Sequence, residues 1–188
     1  MIMHDLKAVF VRTNKTAGIS IEQVLLGRNT GRHDAARKLQ LQLSRRLWRS
    51  YFSFAFVRNP WDRMLSLYFH YRRRLPTQRE YIPPSTTFAM WLPRALSRGQ
   101  RELLFRPLWY WVSDPRGDQI VDFIGRFENL QADFDKVCRR LRLPQQTLPH
   151  LNANAHEHYT TYYTQEMIDA VAEVHADDVR RFGYEFGA

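Results

Sequence analysis

Lys15 sits at a break in 10-FVRTNKTAGISIEQVL-25, where an apolar run opens into a polar turn and then into an amphipathic helical pattern. A strand, a Lys-Thr-Ala-Gly turn and a helix together make a cradle for an anion, because helix N-termini present unpaired N–H groups and the positive end of the dipole. Lys15 adds a full charge to that cradle. The order of residues is not that of a nucleotide-triphosphate loop, in which glycines come first and Gly-Lys-Ser/Thr closes the turn. Here Lys15 precedes Gly18, the only glycine of the stretch. A second break, 58-RNPWDRMLSLYFHYRRR-74, follows the aromatic run 51-YFSFAFV-57. Arg58 ends that run and Ser66 lies two turns into the next helical pattern, a pair able to hold another phosphate. A nucleoside carrying phosphates at both ends suits the two breaks together.

The elements that must position these residues alternate. A strand is expected over 7–12, a helix over 18–26 with Ile19, Ile21, Val24 and Leu25 as its apolar positions, and a break at 27-GRNTG-31. A basic helix is expected over 33–48, then a buried strand over 51–57. Asn59 caps the following helix, Pro60 fits its first turn, and Trp61, Met64, Leu65 and Tyr68 make its apolar stripe. The stretch 75–100 holds four prolines and reads as a loop before a short helix over 88–96. A strand over 119–127, a helix over 128–143, a loop over 144–159 and a last helix over 165–182 complete the pattern. Strands alternating with helices imply an α/β fold with a mainly parallel central sheet flanked by helices. Ligands of such sheets sit at the C-terminal ends of the strands, where both breaks fall.

A chain of 188 residues is expected to form one domain, 1–188. The 44% apolar share argues against general disorder, and no apolar run approaches the roughly 18 residues of a membrane span. His4, Asp5 and Lys7 interrupt any signal-peptide pattern, which makes a cytoplasmic location the expectation. Cys138 is the single cysteine, so an intrachain disulfide and a cysteine-based zinc cluster are excluded, and its helical setting reads as core. The net charge of +9 asks for an acidic partner. Of the 28 basic residues only Lys7, Lys15, Lys38 and Lys136 are lysines; the arginine excess fits two-pronged binding of phosphate or sulfate, and equally a GC-rich genome.

At these motifs the chain resembles the sulfotransferases that use 3′-phosphoadenosine 5′-phosphosulfate (PAPS). Their 5′-phosphosulfate loop, Pro-Lys-Thr-Ala-Gly-Thr-Ser, is matched by 14-NKTAGIS-20, and their 3′-phosphate element by 57-VRNPWDRMLS-66. Further matches are 31-GRHDAARKLQ-40, 121-VDFIGRFENLQADF-134, 150-HLNA-153 and 178-DVRRFGYEF-186, so the resemblance covers nearly the whole chain. It is closest to compact bacterial members of the carbohydrate (family 2-like) branch, and implies a three-layer P-loop-like fold. Asn14 stands in place of the usual proline, which should loosen the loop, and Ile19 in place of a threonine, which removes a hydroxyl.

The resemblance implies in-line sulfuryl transfer from PAPS to an acceptor hydroxyl, with a saccharide or glycan as the expected acceptor, an anionic one included, and no metal. Lys15 would sit near the bridging oxygen; the N–H groups of Thr16, Ala17, Gly18, Ile19 and Ser20, with the Thr16 and Ser20 hydroxyls, would hold the 5′-phosphate. Arg58 and Ser66 would hold the 3′-phosphate. The acceptor proton needs a base, a task that suits a histidine with an ordinary pKa of about 6.5. Among seven histidines His33 is favoured, because it opens a helix and falls where related enzymes carry a histidine; His70, His156 and His158 rank behind it. Glu22 reads as an ordinary surface position before it reads as a base. Arg126 and Glu128 could line the nucleotide pocket, 72-RRR-74 could face an anionic acceptor, and 108-LWYWV-112 reads first as core. The rival readings are a P-loop-type small-molecule kinase, a nucleotide-binding but inactive homologue, and a nucleic-acid binder, for which no motif is present. Acceptor specificity is expected in 75–118; oligomeric state has no signal in the sequence.

Overall fold

The computed structural model describes residues 1–98, 101–149 and 157–188. Its sheet has the order β1 (Ile2–Met3), β2 (Ala8–Val11), β3 (Phe52–Val57), β4 (Phe123–Arg126). β2, β3 and β4 run parallel, and β1 is an antiparallel edge too short to leave a sequence pattern. In chain order the helices among the described residues are α1 (Gly18–Leu26), α2 (Ala36–Leu41), α3 (Arg45–Ser50), α4 (Pro60–Arg72), α5 (Phe88–Ser97), α6 (Trp109–Val112), α7 (Leu130–Leu141), α8 (Gln165–Val174) and α9 (Ala176–Phe182). This is the α/β arrangement expected from the alternation, a mostly parallel sheet flanked by helices. The chain forms two compact units, one drawn from 1–58 and 108–152, the other from 59–107 and 153–188.

The first unit holds the sheet. Phe52, Phe54 and Phe56 alternate onto one face of β3; Phe10 of β2 stacks on Phe54 with ring centroids 5.0 Å apart. Ile21 of α1 and Phe134, Val137 and Cys138 of α7 pack on the same cluster. Each fully buried phenylalanine contributes about 1.5–3 kcal/mol. Gly125 of β4 lies opposite Phe56, whose ring would be 2.6 Å from any Cβ placed there, so only glycine fits. Burial raises the Cys138 thiol above its ordinary pKa, in keeping with a core filler.

Three expected elements are cut shorter by local polar chemistry. The basic helix of 33–48 is two helices, because Ser44 turns extended and its hydroxyl accepts from the Leu47 N–H at 3.2 Å, capping α3. The strand of 119–127 keeps only β4, since Gln119 bridges to Ser113 and 127–129 coil into a 3-10 turn. The helix of 165–182 breaks at His175.

The second unit is helical and aromatic. Asn59 caps α4 as expected, its Oδ1 accepting from the Trp61 and Asp62 N–H groups, with Pro60 in the first turn. Its amide nitrogen donates to the Glu185 carbonyl at 3.0 Å, which ties the cap to the C-terminal segment. Trp61, Met64, Leu65 and Tyr68 are all buried, and Tyr68 meets Phe88 and Trp91 of α5 at 5.4 and 5.6 Å. Arg63, His175 and Asp178 are fully buried together, with Arg63 Nη2 at 3.4 Å from His175 Nδ1 and that nitrogen at 3.8 Å from Asp178. This buried polar cluster sits at the α8–α9 break. Burial and the Arg63 charge hold His175 neutral, well below its ordinary pKa.

Candidate functional site

Between β2 and α1 the backbone takes two left-handed turns, at Lys15 (φ 64°) and Ala17 (φ 60°). For residues with a Cβ each costs about 1–2 kcal/mol, so the loop must be held from outside. Three contacts do this. The Thr13 hydroxyl donates to the Phe56 carbonyl on the neighbouring strand; its oxygen in turn accepts from the Thr16 hydroxyl at 2.7 Å; Arg58 Nη1 donates to the Lys15 carbonyl at 3.1 Å. Left-handed residues alternating with their neighbours turn backbone N–H groups into a concavity suited to anions. Helix α1 then starts at Gly18, with Ala17, whose methyl side chain offers no cap hydrogen bond, at its N-cap. Lys15 is half-buried beside buried Asn14, Thr16 and Gly18.

Both hydroxyls expected on the 5′-phosphate have internal partners. Thr16 bonds to Thr13, and Ser20 Oγ donates to the Pro149 carbonyl at 2.7 Å. Neither hydroxyl could donate to a phosphate without giving up that partner. Asn14 is buried at 3% exposure, so replacing the usual proline has left this segment packed. Ile19 is half-buried on α1.

Behind the loop lies a buried polar network. Arg12 is buried, and its Nη1 donates to Glu22 Oε2 at 3.1 Å and to Asn29 Oδ1 at 3.0 Å. Glu22 is not a surface residue: it is fully buried and also accepts from the Thr30 N–H at 2.8 Å and the Thr30 hydroxyl at 2.9 Å. The chain just after β2 and the middle of α1 are thus clamped to the 27–31 turn. Glycine at 18 makes the clamp possible, since a Cβ there would stand 2.8 Å from Arg12 Cγ and Nε. A signal did exist in the sequence. Gly18 and Glu22 are one turn apart on the same helical face, a gap and a carboxylate that suit a long cation.

His33 precedes α2 by three residues rather than opening it. Its Nδ1 lies 3.0 Å from the Arg12 carbonyl. A carbonyl can only accept, so Nδ1 carries the hydrogen and Nε2 is left with the lone pair. Burial pulls the His33 pKa below its ordinary value, with the Arg12 hydrogen bond opposing and the Arg12 charge reinforcing the shift. The ring meets Trp111 edge-on at 6.1 Å. A neutral imidazole oriented by a strand-end carbonyl is a competent proton acceptor.

Arg58 closes this unit. Its guanidinium stacks over the Phe127 ring at 4.0 Å while holding the Lys15 carbonyl. Ser66 is buried on α4, in the second unit. His70 lies on the same helix with Arg74 Nη2 at 3.3 Å, and His158 Nδ1 lies 2.8 Å from Thr160 Oγ1. His156 and 150-HLNA-153 fall outside the described residues. Arg72 and Arg74 bend back onto their own loop, Arg72 donating to the Pro84 carbonyl and Arg74 to that of Arg79. Glu128 is exposed on a 3-10 turn, the Arg126 N–H donates to Asp133, and Trp111 is fully buried as core. Among the described residues no group of three or more acidic, histidine or cysteine side chains could hold a metal ion, and no helix is long and apolar enough to cross a membrane.

An uncharacterised protein of Archaeoglobus fulgidus is 30% identical over 124 residues, covering 63% of this chain and 90% of that protein. The model of the Sulfotransferase family matches residues 1–185, through both compact units and both strand-to-helix breaks. The chain belongs to the sulfotransferase family.

Proposed function

We propose that the protein transfers a sulfuryl group from PAPS to a hydroxyl of a carbohydrate acceptor, releasing adenosine 3′,5′-bisphosphate. The observation that carries this reading is the left-handed Lys15–Ala17 turn running into the N-terminus of α1, with a neutral, oriented His33 in the same unit. The donor supplies an activated sulfur with a phosphate leaving group; little covalent work is left to the protein, so position and electrostatics dominate.

In this mechanism the N–H groups of residues 16–20 hold the 5′-phosphate and the Lys15 ammonium neutralises the bridging oxygen as its bond to sulfur breaks. His33 Nε2 takes the acceptor's proton as the acceptor oxygen bonds to sulfur. Arg58 binds the 3′-phosphate while fixing the Lys15 carbonyl, so donor recognition and loop geometry depend on one guanidinium. Ser66 is assigned a contact with the same phosphate on the strength of its motif. A cytoplasmic, bacterial setting is part of the same proposal. Incubation with sulfur-labelled PAPS and a panel of saccharides tests the proposal: label should pass to a saccharide hydroxyl. Transfer only to non-carbohydrate alcohols would overturn the acceptor class, and no transfer to any hydroxyl would overturn the activity.

A further inference from the structure

Helices α2 and α3 present a surface that the proposed reaction does not use. Leu41, at the end of α2, is 87% exposed, Leu47 on α3 is 41% exposed, and no residue of α3 is buried. Trp48 beside them is half-buried. Arg45, Arg46 and Arg49 are all exposed on α3; at 100° per residue they share an arc of about 100°, and Leu47 and Trp48 fall on the other side of the helix, the division of an amphipathic surface helix. From Ala35 to Trp61 the chain carries no acidic residue, while 37–49 hold five basic ones: Arg37, Lys38, Arg45, Arg46 and Arg49.

We propose that the α2–α3 segment docks on an anionic lipid surface, with Leu41, Leu47 and Trp48 entering the interface and Arg45, Arg46 and Arg49 pairing with headgroup phosphates. Charge and apolarity together select this partner. Nucleic acid would match the arginines but has no use for two exposed leucines, and a neutral protein groove would match the leucines but leave the arginines without a partner. Tryptophan and arginine also suit the headgroup boundary, where an apolar body and a polar end are both accommodated. The inference is independent of the donor and acceptor.

The test is co-sedimentation of the full chain with phosphatidylcholine vesicles, with and without phosphatidylglycerol. Binding should require phosphatidylglycerol and weaken as salt rises. The triple variant Arg45→Gln, Arg46→Gln, Arg49→Gln should lose on the order of 100-fold in partitioning. The double variant Leu41→Ser, Leu47→Ser should lose on the order of 10-fold. Both should keep the parent's melting temperature, because the altered side chains are exposed. No binding by the parent chain, or equal binding to neutral vesicles, would overturn the proposal without recourse to any variant. Loss in the arginine variant alone, with tighter binding to RNA than to vesicles, would overturn it in favour of nucleic acid.

Discussion

At the scale of single residues the account rests on Lys15 and His33. Lys15→Ala should lower kcat by on the order of 100- to 1000-fold, the usual cost of removing one group that stabilises developing charge. A fold intact by circular dichroism with wild-type turnover would contradict that assignment. His33→Ala should lose on the order of 100- to 10,000-fold in kcat while bisphosphate affinity stays near the parent's, since the imidazole is assigned to the acceptor's proton and not to the donor. The pH dependence carries a sign. Burial depresses the His33 pKa, so the free enzyme holds the neutral, reactive form down to below the ordinary imidazole value of about 6.5. A kcat/KM profile should be flat above that pH and fall on its acid side as His33 takes up a proton. An acid limb centred above pH 7 would show that another group is the base.

At the scale of elements the buried Arg12–Glu22 pair connects strand to helix and helix to turn. Glu22→Ala would leave Arg12 buried without its carboxylate, a loss of about 3–5 kcal/mol that denaturant unfolding would read directly. An exposed salt bridge would cost less than about 1 kcal/mol, so a small change would contradict the role given to Glu22. Much of this scale was legible in advance. The two strand-turn-helix units, the Asn59 cap and the apolar stripe of α4 are written in local patterns of periods two and 3.6, and the structure has them. What stayed hidden depends on partners distant in sequence or on a single cap. Ser44 divides a leucine pattern that spacing alone would continue, His175 breaks a helix amid a buried cluster with Arg63, and Glu22 looks like any surface carboxylate until Arg12 is placed beside it. The sequence motif marks Arg58 as a candidate phosphate ligand; that its guanidinium also clamps the Lys15 carbonyl follows from the parallel pairing of β2 with β3, which no local pattern records.

At the scale of the whole molecule, the +9 charge gives an anionic donor a favourable approach that salt should screen. Bisphosphate affinity should therefore fall steadily with ionic strength; affinity indifferent to salt would mean that the arginines are spectators. The family match over 1–185 spans both compact units, so each unit should be needed for activity even though Lys15, His33 and Arg58 all belong to the first. The most direct test of the central claim is calorimetric titration of the protein with adenosine 3′,5′-bisphosphate and with ADP, which shares the 5′-phosphate end but lacks the 3′-phosphate. The account predicts at least a tenfold preference for the bisphosphate, on the order of 1.4 kcal/mol for one charge-assisted phosphate contact, and its loss in Arg58→Ala. Equal affinity for the two, or preference for ADP, would contradict PAPS as the donor.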